Sequence, residues 1–365
     1  MPRVLHILAT PVHGGVESYF ANLCIALQEA GVAQEVVLLH HDSQRERLKN
    51  AGVITTEVLE GDYTHRAVRR VIAKAVADFR PNIVQTWMAQ ATEHLPKGKY
   101  LHVGWLRGYQ NLRYYRPCDH LIGITKGVVQ SVIEQGWPAD RIHLLRGFTR
   151  SDTAAPLPRA SLETPDDAPL IFCAGMLHDD NAFDVMLKAL AFLPQHYLWV
   201  SGEGEAKPLL HDLAVKNGVA DRVRWLPWAD EKASLLAACD VVVVPSRHEP
   251  FALMPLVAWA QRRPLILSNA VAPRVGAIHG ENALVFPVDD AASLARCLRQ
   301  LENDSSWQQT IVEGGSARYE AHYTPAIAVK NYIDFYQRIL HEGKARRSAL
   351  PWLREMKERV LGLFS

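Results

Sequence analysis

Short apolar runs ended by Gly, Pro and charged loops alternate along most of this chain with longer stretches of helical period. That is the pattern of parallel strands joined by crossover helices. The clearest run is VVVV at 241–244, too apolar for an exposed edge and therefore a central strand buried on both faces. Pro245, Ser246 and Pro250 end it. FALMPLVAWA then reads as a buried helix with Pro255 in its first turn, where a missing N–H costs little. Glu249 is thus predicted in a strand-to-helix loop just ahead of a helix N-terminus. Free backbone N–H groups and the positive end of the helix dipole collect anions there, and open α/β sheets hold their ligands there. Taken alone, a Glu in that place reads first as a helix cap.

The same alternation runs from the first residues. RVLHILAT predicts a strand, PVHGG a turn, and VESYFANLCIALQEAG an amphipathic helix closed by Gly31. Gly14 and Gly15 let a ligand approach backbone N–H groups, although a bare pair of glycines reads more simply as a tight turn. EVVLLHH and VITTEVL are strands around the polar helix DSQRERLKNAG. A helix from about Tyr63 to Phe79 places Arg66, Arg69, Arg70 and Lys74 on one face, with Val68, Ile72, Ala75 and Phe79 on another. The charged row is either the solvated side of a surface helix or a dock for anionic lipid headgroups. NIVQTWM and KYLHVGW are strands. The stretch RGYQNLRYYRPCDHLIGIT follows, whose Tyr109, Arg113, Tyr114, Tyr115 and Arg116 line an acceptor site or buttress two domains. Thr125 and Lys126 start a further helix and Gly136 closes it.

Residues 151–168 hold three prolines and few apolar side chains, which predicts a linker. It divides a first domain at 1–150 from a second at 169–325, followed by a return helix and basic tail at 326–365. The tail's Leu350, Leu353, Val360 and Phe364 share a stripe, with Trp352 nearby, to pack on the first domain or to lie in a membrane interface.

At 365 residues the chain exceeds the usual size of one hydrophobic core, so two domains are the prior expectation. With 48% hydrophobic and 22% charged residues, disordered and collagen-like classes are excluded. Cys24, Cys118, Cys173, Cys239 and Cys297 lack CxxC spacing and read as small buried residues of a reducing compartment. The net charge of +1 hides an asymmetry. Residues 1–160 carry 19 Lys/Arg against 14 Asp/Glu, residues 161–343 carry 15 against 23, and residues 344–365 carry 6 against 2. An acidic middle argues against nucleic acid as a partner and leaves any anionic surface to the first domain and tail. No window is apolar enough to span a membrane, and the N-terminus reads as a strand, not a signal peptide. The expected location is cytoplasmic, peripheral at the inner face of the plasma membrane.

The stretch PSRHEPFALMPLVAWAQRRPLILS resembles the donor-sugar signature of retaining GT-B glycosyltransferases, above all family 4, written E-x7-E within SRxEGFGLVxLEAMAxGxPVI. GG followed by VE resembles the family's opening loop, and GMLHDDNAFD its GRLxxxKGxD. The resemblance covers about residues 3–340. It implies a GT-B fold, two doubly wound Rossmann-like α/β domains facing a cleft. The implied reaction is transfer of a sugar from a nucleotide-sugar donor to a lipid-linked or cell-surface polysaccharide acceptor. It implies that Glu249 holds the donor sugar, and that Gly14, Gly15, Gly175, Phe251, Ala252, Leu253 and Met254 contribute to the donor site. Arg107 stands where the family carries a catalytic His, and Tyr109, Arg113 and Tyr114 fall on the acceptor side. The second Glu of the signature is Val257 here. Met176 and Asn181 replace the Arg and Lys that grip the donor diphosphate, and GGxxE reads Val271, Ala272, Pro273, Arg274, Val275. Arg247 and Arg274 are the remaining cations expected near the phosphates.

The chain has no D-x-D and no His/Cys/Asp cluster at metal spacing, so no metal or cofactor is expected. His13, His40, His41 and His248 read as loop or strand-end residues. A GxSxG elbow is missing, and GEG at 202–204 is too short for a dinucleotide fingerprint. Two other functions stay open: a glycosyltransferase-like binding or scaffold protein, motivated by the four replaced donor residues, and a sugar-nucleotide epimerase on the same scaffold.

Overall fold

The computed structural model describes residues 2–9, 14–39, 42–58, 64–150, 154–228, 232–249 and 252–361, with only the backbone path at 42–43 and 344–361. Phe251, His13, His40, His41 and the side chains of the tail stripe lie outside the described residues.

The first sheet is built from β1 (Arg3–Leu8), β2 (Ala33–Leu39), β3 (Ile54–Val58), β4 (Ile83–Trp87), β5 (Leu101–Leu106), β6 (His120–Gly123) and β7 (Ile142–Leu144). Between them run α1 (Gly15–Glu29), α2 (Asp42–Asn50), α3 (His65–Phe79), α4 (Met88–His94) and α5 (Lys126–Glu134). The second sheet holds β8 (Leu170–Ala174), β9 (Tyr197–Ser201), β10 (Val223–Leu226), β11 (Val241–Val244), β12 (Leu265–Ser268) and β13 (Leu284–Phe286). Its helices are α6 (Phe183–Leu190), α7 (Lys207–Lys216), α8 (Ala233–Ala238), α9 (Leu253–Ala260), α10 (Ala272–Val275), α11 (Ala291–Asn303) and α12 (Ser305–His322). The chain closes with α13 (Pro325–Leu361).

All strand pairs are parallel, in the orders β3-β2-β1-β4-β5-β6-β7 and β10-β9-β8-β11-β12-β13. Each sheet thus starts in its middle, winds outward one way and returns to wind the other. Between β1 and β4, and between β8 and β11, neighbouring crossovers leave on opposite faces and open a crevice at the C-terminal edge. Both domains are doubly wound, as the alternation of strands and helices predicted, and all four valines of β11 are buried.

Local chemistry accounts for the element ends. Thr64 and Thr125 cap α3 and α5 by accepting from Ala67 and Val128 N–H, and Gly31 and Gly136 follow α1 and α5 with positive φ. The helix expected from Tyr63 begins at His65, because the Thr64 cap sets its start. From Leu157 onward the Pro-rich stretch lies against the second domain. Arg159 donates to Ala238 O and pairs with Asp240 at 2.8 Å, and Trp199 Nε1 donates to Thr164 Oγ1 at 2.9 Å.

The two cores place their aromatic residues differently. Behind the first crevice, aromatic rings pack edge to face and offset: Trp87 and Trp105 have centroids 4.6 Å apart, Phe20 and Trp87 5.0 Å, Tyr19 and Phe148 5.3 Å. α13 returns to this domain and adds Tyr332, Phe335, Tyr336 and Ile339 to the same core, with Tyr336 OH donating to Gln85 Oε1 at 2.7 Å. The second sheet is covered by two layers, a largely aliphatic one under α6, α7 and α11 and one under α8, α9 and α12 that also holds Phe172, Trp199, Tyr319 and Tyr323. Trp259 anchors the latter, its Nε1 donating to Asn282 O at 2.8 Å. Gly315 passes so close that an added Cβ would stand 2.3 Å from that ring.

Candidate active site

A cavity of about 1000 Å³ opens where the two switch-point crevices face each other. From the first domain it is lined by the residues that follow β1, β4 and β5: Gly14 and Gly15, Met88, and Arg107 to Gln110. From the second it is lined by those that follow β8 and β11: Gly175 and Met176, then His248, Glu249, Leu253 and Met254. The topology therefore brings together residues more than two hundred positions apart.

Glu249 sits in the loop leaving β11, and its Oε1 accepts from Ala252 N–H at 2.9 Å. The carboxylate thus ties down the residue just ahead of α9, whose first turn has no side-chain cap, and Glu249 also lines the cavity. Ala252 takes a left-handed backbone with φ 48°, at the position where the signature quoted above carries Gly. An L-residue held there costs roughly 1–2 kcal/mol, the kind of local strain that collects at functional loops. Met88 does the same at the opposite crevice, with φ 65°, at the first residue of α4. Leu253 and Met254 open α9 beside Glu249, so their N–H groups belong to the orphan donors of its first turn. Across the cavity α1 begins at Gly14 without a side-chain cap, and its mouth holds the buried Glu17, whose Oε2 would lie 3.1 Å from a Cβ at Gly14.

The GEG turn after β9 has a packing role. A Cβ at Gly202 would lie 1.9 Å from Gly175 O and one at Gly204 2.3 Å from Leu177 O, so both glycines let the 175–177 loop pass. Gly175 itself has room, since its Cβ would meet nothing nearer than Asn181 at 3.4 Å. Beside it, Asn181 Nδ2 donates to Met176 O at 2.6 Å, closing the loop on itself, and Asp180 lines the cavity.

The two cations expected at the phosphates are engaged elsewhere. Arg247 is ion-paired with Asp184 at 2.9 Å, Asp289 at 2.7 Å and Asp179 at 3.1 Å. Those carboxylates raise its pKa, and Arg247 in turn holds the Asp184 carboxyl below its ordinary value against the opposing effect of burial. Arg274 Nη1 donates to Tyr109 OH at 2.9 Å, with its guanidinium 5.4 Å from that ring's centre. Neither lines the cavity, so neither stands ready at a phosphate in this arrangement.

Of the acceptor-side residues, Tyr109 lines the cavity and also packs against His248, ring centroids 5.8 Å apart, so with Arg274 it bridges the two domains. Arg113 and Tyr114 do not line it. A short 3-10 turn at Leu112–Tyr115 buries Tyr115 in the core and leaves the Arg113 guanidinium stacked 4.4 Å over the Tyr114 ring. Arg107 does line the cavity, is exposed, and makes no hydrogen bond or ion pair with a described residue.

Sequence reasoning passed over Arg47, Trp228 and Lys232, all of which line the cavity. Arg47 on α2 donates to Asn22 Oδ1 at 2.6 Å and to Gln44 Oε1 at 2.9 Å, so its charge has only neutral partners among these contacts. Trp228 and Lys232, between β10 and α8, form a cation–π pair with the ammonium 4.7 Å from the ring centre. Their one signal in the sequence is position, beyond the C-terminal end of a strand. No group of three or more His, Cys, Asp or Glu able to hold a metal is found among the described residues.

A profile of the family described as "Glycosyl transferases group 1" matches residues 168–304. The lipopolysaccharide core biosynthesis glycosyltransferase LpsE of Rhizobium meliloti (strain 1021) is 32% identical over 83% of this chain and 89% of its own length. LpsD of the same strain, with the same description, is 30% identical over 94% of this chain and all of its own. The chain thus belongs to the group 1 glycosyltransferases and is an enzyme of that class. Among solved structures, Anabaena Alr3699/HepE in complex with UDP-glucose superposes with a TM-score of 0.81 at 16% identity, over 93% of this chain and 100% of that one. That likeness places the two domains in the GT-B fold.

Proposed function

We propose that the chain transfers a sugar from a nucleotide-sugar donor to a growing lipopolysaccharide core, with retention of anomeric configuration and without a metal ion. The observation that supports this most is the facing of two switch-point crevices across one cavity, with Glu249 and the start of α9 on one wall and an uncapped α1 on the other. The descriptions of LpsE and LpsD point to the acceptor class, and the UDP-glucose held by HepE points to the donor class. In this reading Glu249 binds donor hydroxyls, Gly175 and the N–H groups of Leu253 and Met254 meet the diphosphate, and Arg107 and Tyr109 face the acceptor. No helix among the described residues is long and apolar enough to cross a membrane. The exposed Arg66, Arg69, Arg70 and Lys74 of α3 supply a basic face for docking on an anionic bilayer.

One observation favours binding without turnover: Met176, Asn181 and Asp180 together leave the 175–181 loop without a cation. A single assay separates the readings. Purified protein is incubated with UDP-, GDP- and ADP-sugars and truncated core lipopolysaccharide, and nucleotide release and acceptor mass are measured. Acceptor-dependent release with a hexose-sized mass gain is expected. Nucleotide-sugar binding with neither supports the scaffold reading, and interconversion of the donor sugar supports the epimerase.

A further inference from the structure

The contact between the two domains has a packed part and an open part. In the packed part Leu253, at the start of α9, lies on the first core beside Gly147, and the buried Tyr319 donates its hydroxyl to Thr149 O at 2.9 Å. Little water reaches these groups to take their partners' place. In the open part Tyr109, 43% exposed, reaches from the loop after β5 to the second domain. Its hydroxyl accepts from Arg274 Nη1 at 2.9 Å, with that guanidinium 5.4 Å from its ring centre, and the His248 ring lies 5.8 Å away. Water can replace an exposed hydrogen bond at small net cost, so this contact can form and break within one catalytic cycle.

Both sides are prepared for it. Arg274 commits its Nε to Ala270 O at 3.2 Å, and α10 beneath it is held by Arg318 Nε and Tyr323 OH, which both donate to Val275 O at 2.8 Å. On the first domain, Gly127 near the start of α5 leaves the room that the Tyr109 hydroxyl takes, since a Cβ there would lie 2.7 Å from it. The loop that Tyr109 touches is the one that carries Glu249. Its Arg247 and His248 N–H groups donate to Asp180 O at 2.7 and 3.1 Å, so it is tied to the 179–181 turn by its backbone and to the first domain by the His248 ring. Resting on the donor reading above, we infer that Tyr109 and Arg274 are positioning residues for transfer: their bond latches the closed cleft, and closure sets the His248–Glu249 loop against the donor sugar. Domains joined by contacts of modest size move relative to one another by default, and a closure that completes the site can set the turnover rate. Arg274 then acts on closure, not on the phosphates.

The test compares the full chain as wild type, Tyr109→Phe, Arg274→Met and the double variant. Acceptor-dependent nucleotide release is measured with donor and acceptor varied in turn, and UDP, GDP and ADP are titrated by calorimetry. Tyr109→Phe removes the hydroxyl and keeps the ring for His248. Each single variant should lower kcat about threefold to tenfold, the effect of one net hydrogen bond, with diphosphate affinity and melting temperature unmoved. The double variant should fall no further than either single, because both residues act through one bond. Arg274→Lys, which keeps a charged donor, should regain part of the loss. Wild-type kcat in either single variant overturns this inference alone, and so do additive losses in the double. Diphosphate affinity lost in Arg274→Met makes that residue a phosphate ligand and overturns it too, as does a raised acceptor KM confined to Tyr109→Phe, which makes the tyrosine an acceptor contact only. Absence of turnover in the wild-type chain overturns the transfer reading together with this one.

Discussion

Both walls of the cleft are the C-terminal edge of a parallel sheet that starts in its middle, and each offers a helix N-terminus beside a residue of left-handed backbone, Met88 on one side and Ala252 on the other. Their charges differ. Among the described residues, the first wall lines the cavity with Arg47, Arg107 and Arg150 against the buried Glu17, whereas the second presents Asp180 and Glu249 against Lys232. Their backing differs too: behind the first the rings of Trp87, Trp105, Tyr19, Phe20 and Phe148 form one cluster, whereas behind the second Trp259 sits in a layer that mixes aliphatic side chains with Phe172, Trp199, Tyr319 and Tyr323. One wiring diagram therefore fixes where a ligand sits without fixing what kind of group meets it. Charge and polarity at the crevice are set by side chains that the topology leaves free to vary.

The comparison breaks most visibly through its supports. Trp259→Ala removes a ring buried between β11, β12 and α12 and should cost about 3–5 kcal/mol, read as a lowered denaturant midpoint with the slope unchanged. A smaller loss would mean that α9 is seated by something other than this ring. Next comes Glu249→Gln, which keeps an oxygen for Ala252 N–H but removes the charge. Turnover should fall about tenfold to a hundredfold with the melting temperature unmoved, as for loss of a charge-assisted bond of about 1.5–3 kcal/mol. Full activity in that variant would take Glu249 out of the site.

Acid should bear harder on the first half, although His196 in the second is also lowered by burial. Burial lowers His6 from 6.5 to about 3 and His102 to about 4, and both lie in the first domain. A depressed folded pKa means that the unfolded chain takes up protons first as pH falls. The stability these histidines contribute is thus complete above about 6.5 and is lost progressively toward pH 4 and 3. Urea midpoints at pH 7 and pH 5 should show the decline, and His6→Gln should flatten it; an unchanged slope would assign the acid sensitivity elsewhere. The smallest effect concerns the seat of α13 on the first half. Tyr336→Phe deletes the bond to Gln85 and should cost roughly 1–3 kcal/mol, toward the upper part of that range if Gln85 Oε1 is left unpaired.

Much of this was legible beforehand, for physical reasons. Strand and helix periods are local, so β11, the crossovers and the helix start at Thr125 follow from neighbouring residues, whereas the Thr64 cap, which starts α3 two positions past the expected Tyr63, was missed. Gly14 and Glu249 were legible as ligand-edge residues because they lie in loops that follow strands, and a doubly wound sheet sends those loops to its ligand edge; Gly175 came with the family resemblance alone. What failed depends on partners distant in sequence. Arg247 is taken by Asp289, 42 residues away, and Arg274 by Tyr109, 165 residues away. Arg113 and Tyr114 were misplaced because a 3-10 turn of Leu112–Tyr115 decides which of three aromatic and basic neighbours goes inward. Lys232 and Arg47 looked like ordinary surface charges, and only the third dimension sets them at the cavity.

α13 carries a consequence for the order in which the molecule is made. Tyr332, Phe335, Tyr336 and Ile339 complete the core that holds Trp87, Trp105 and Tyr19, yet they are translated only after the whole of the second domain. A nascent chain of the first 150 residues therefore holds its sheet with one aromatic flank uncovered, and that surface must be kept from aggregating while the second domain is synthesised and folds. The half that is translated first is finished last. Removal of residues after 324 should thus harm the N-terminal domain, far away in sequence, before it harms the domain that the cut adjoins.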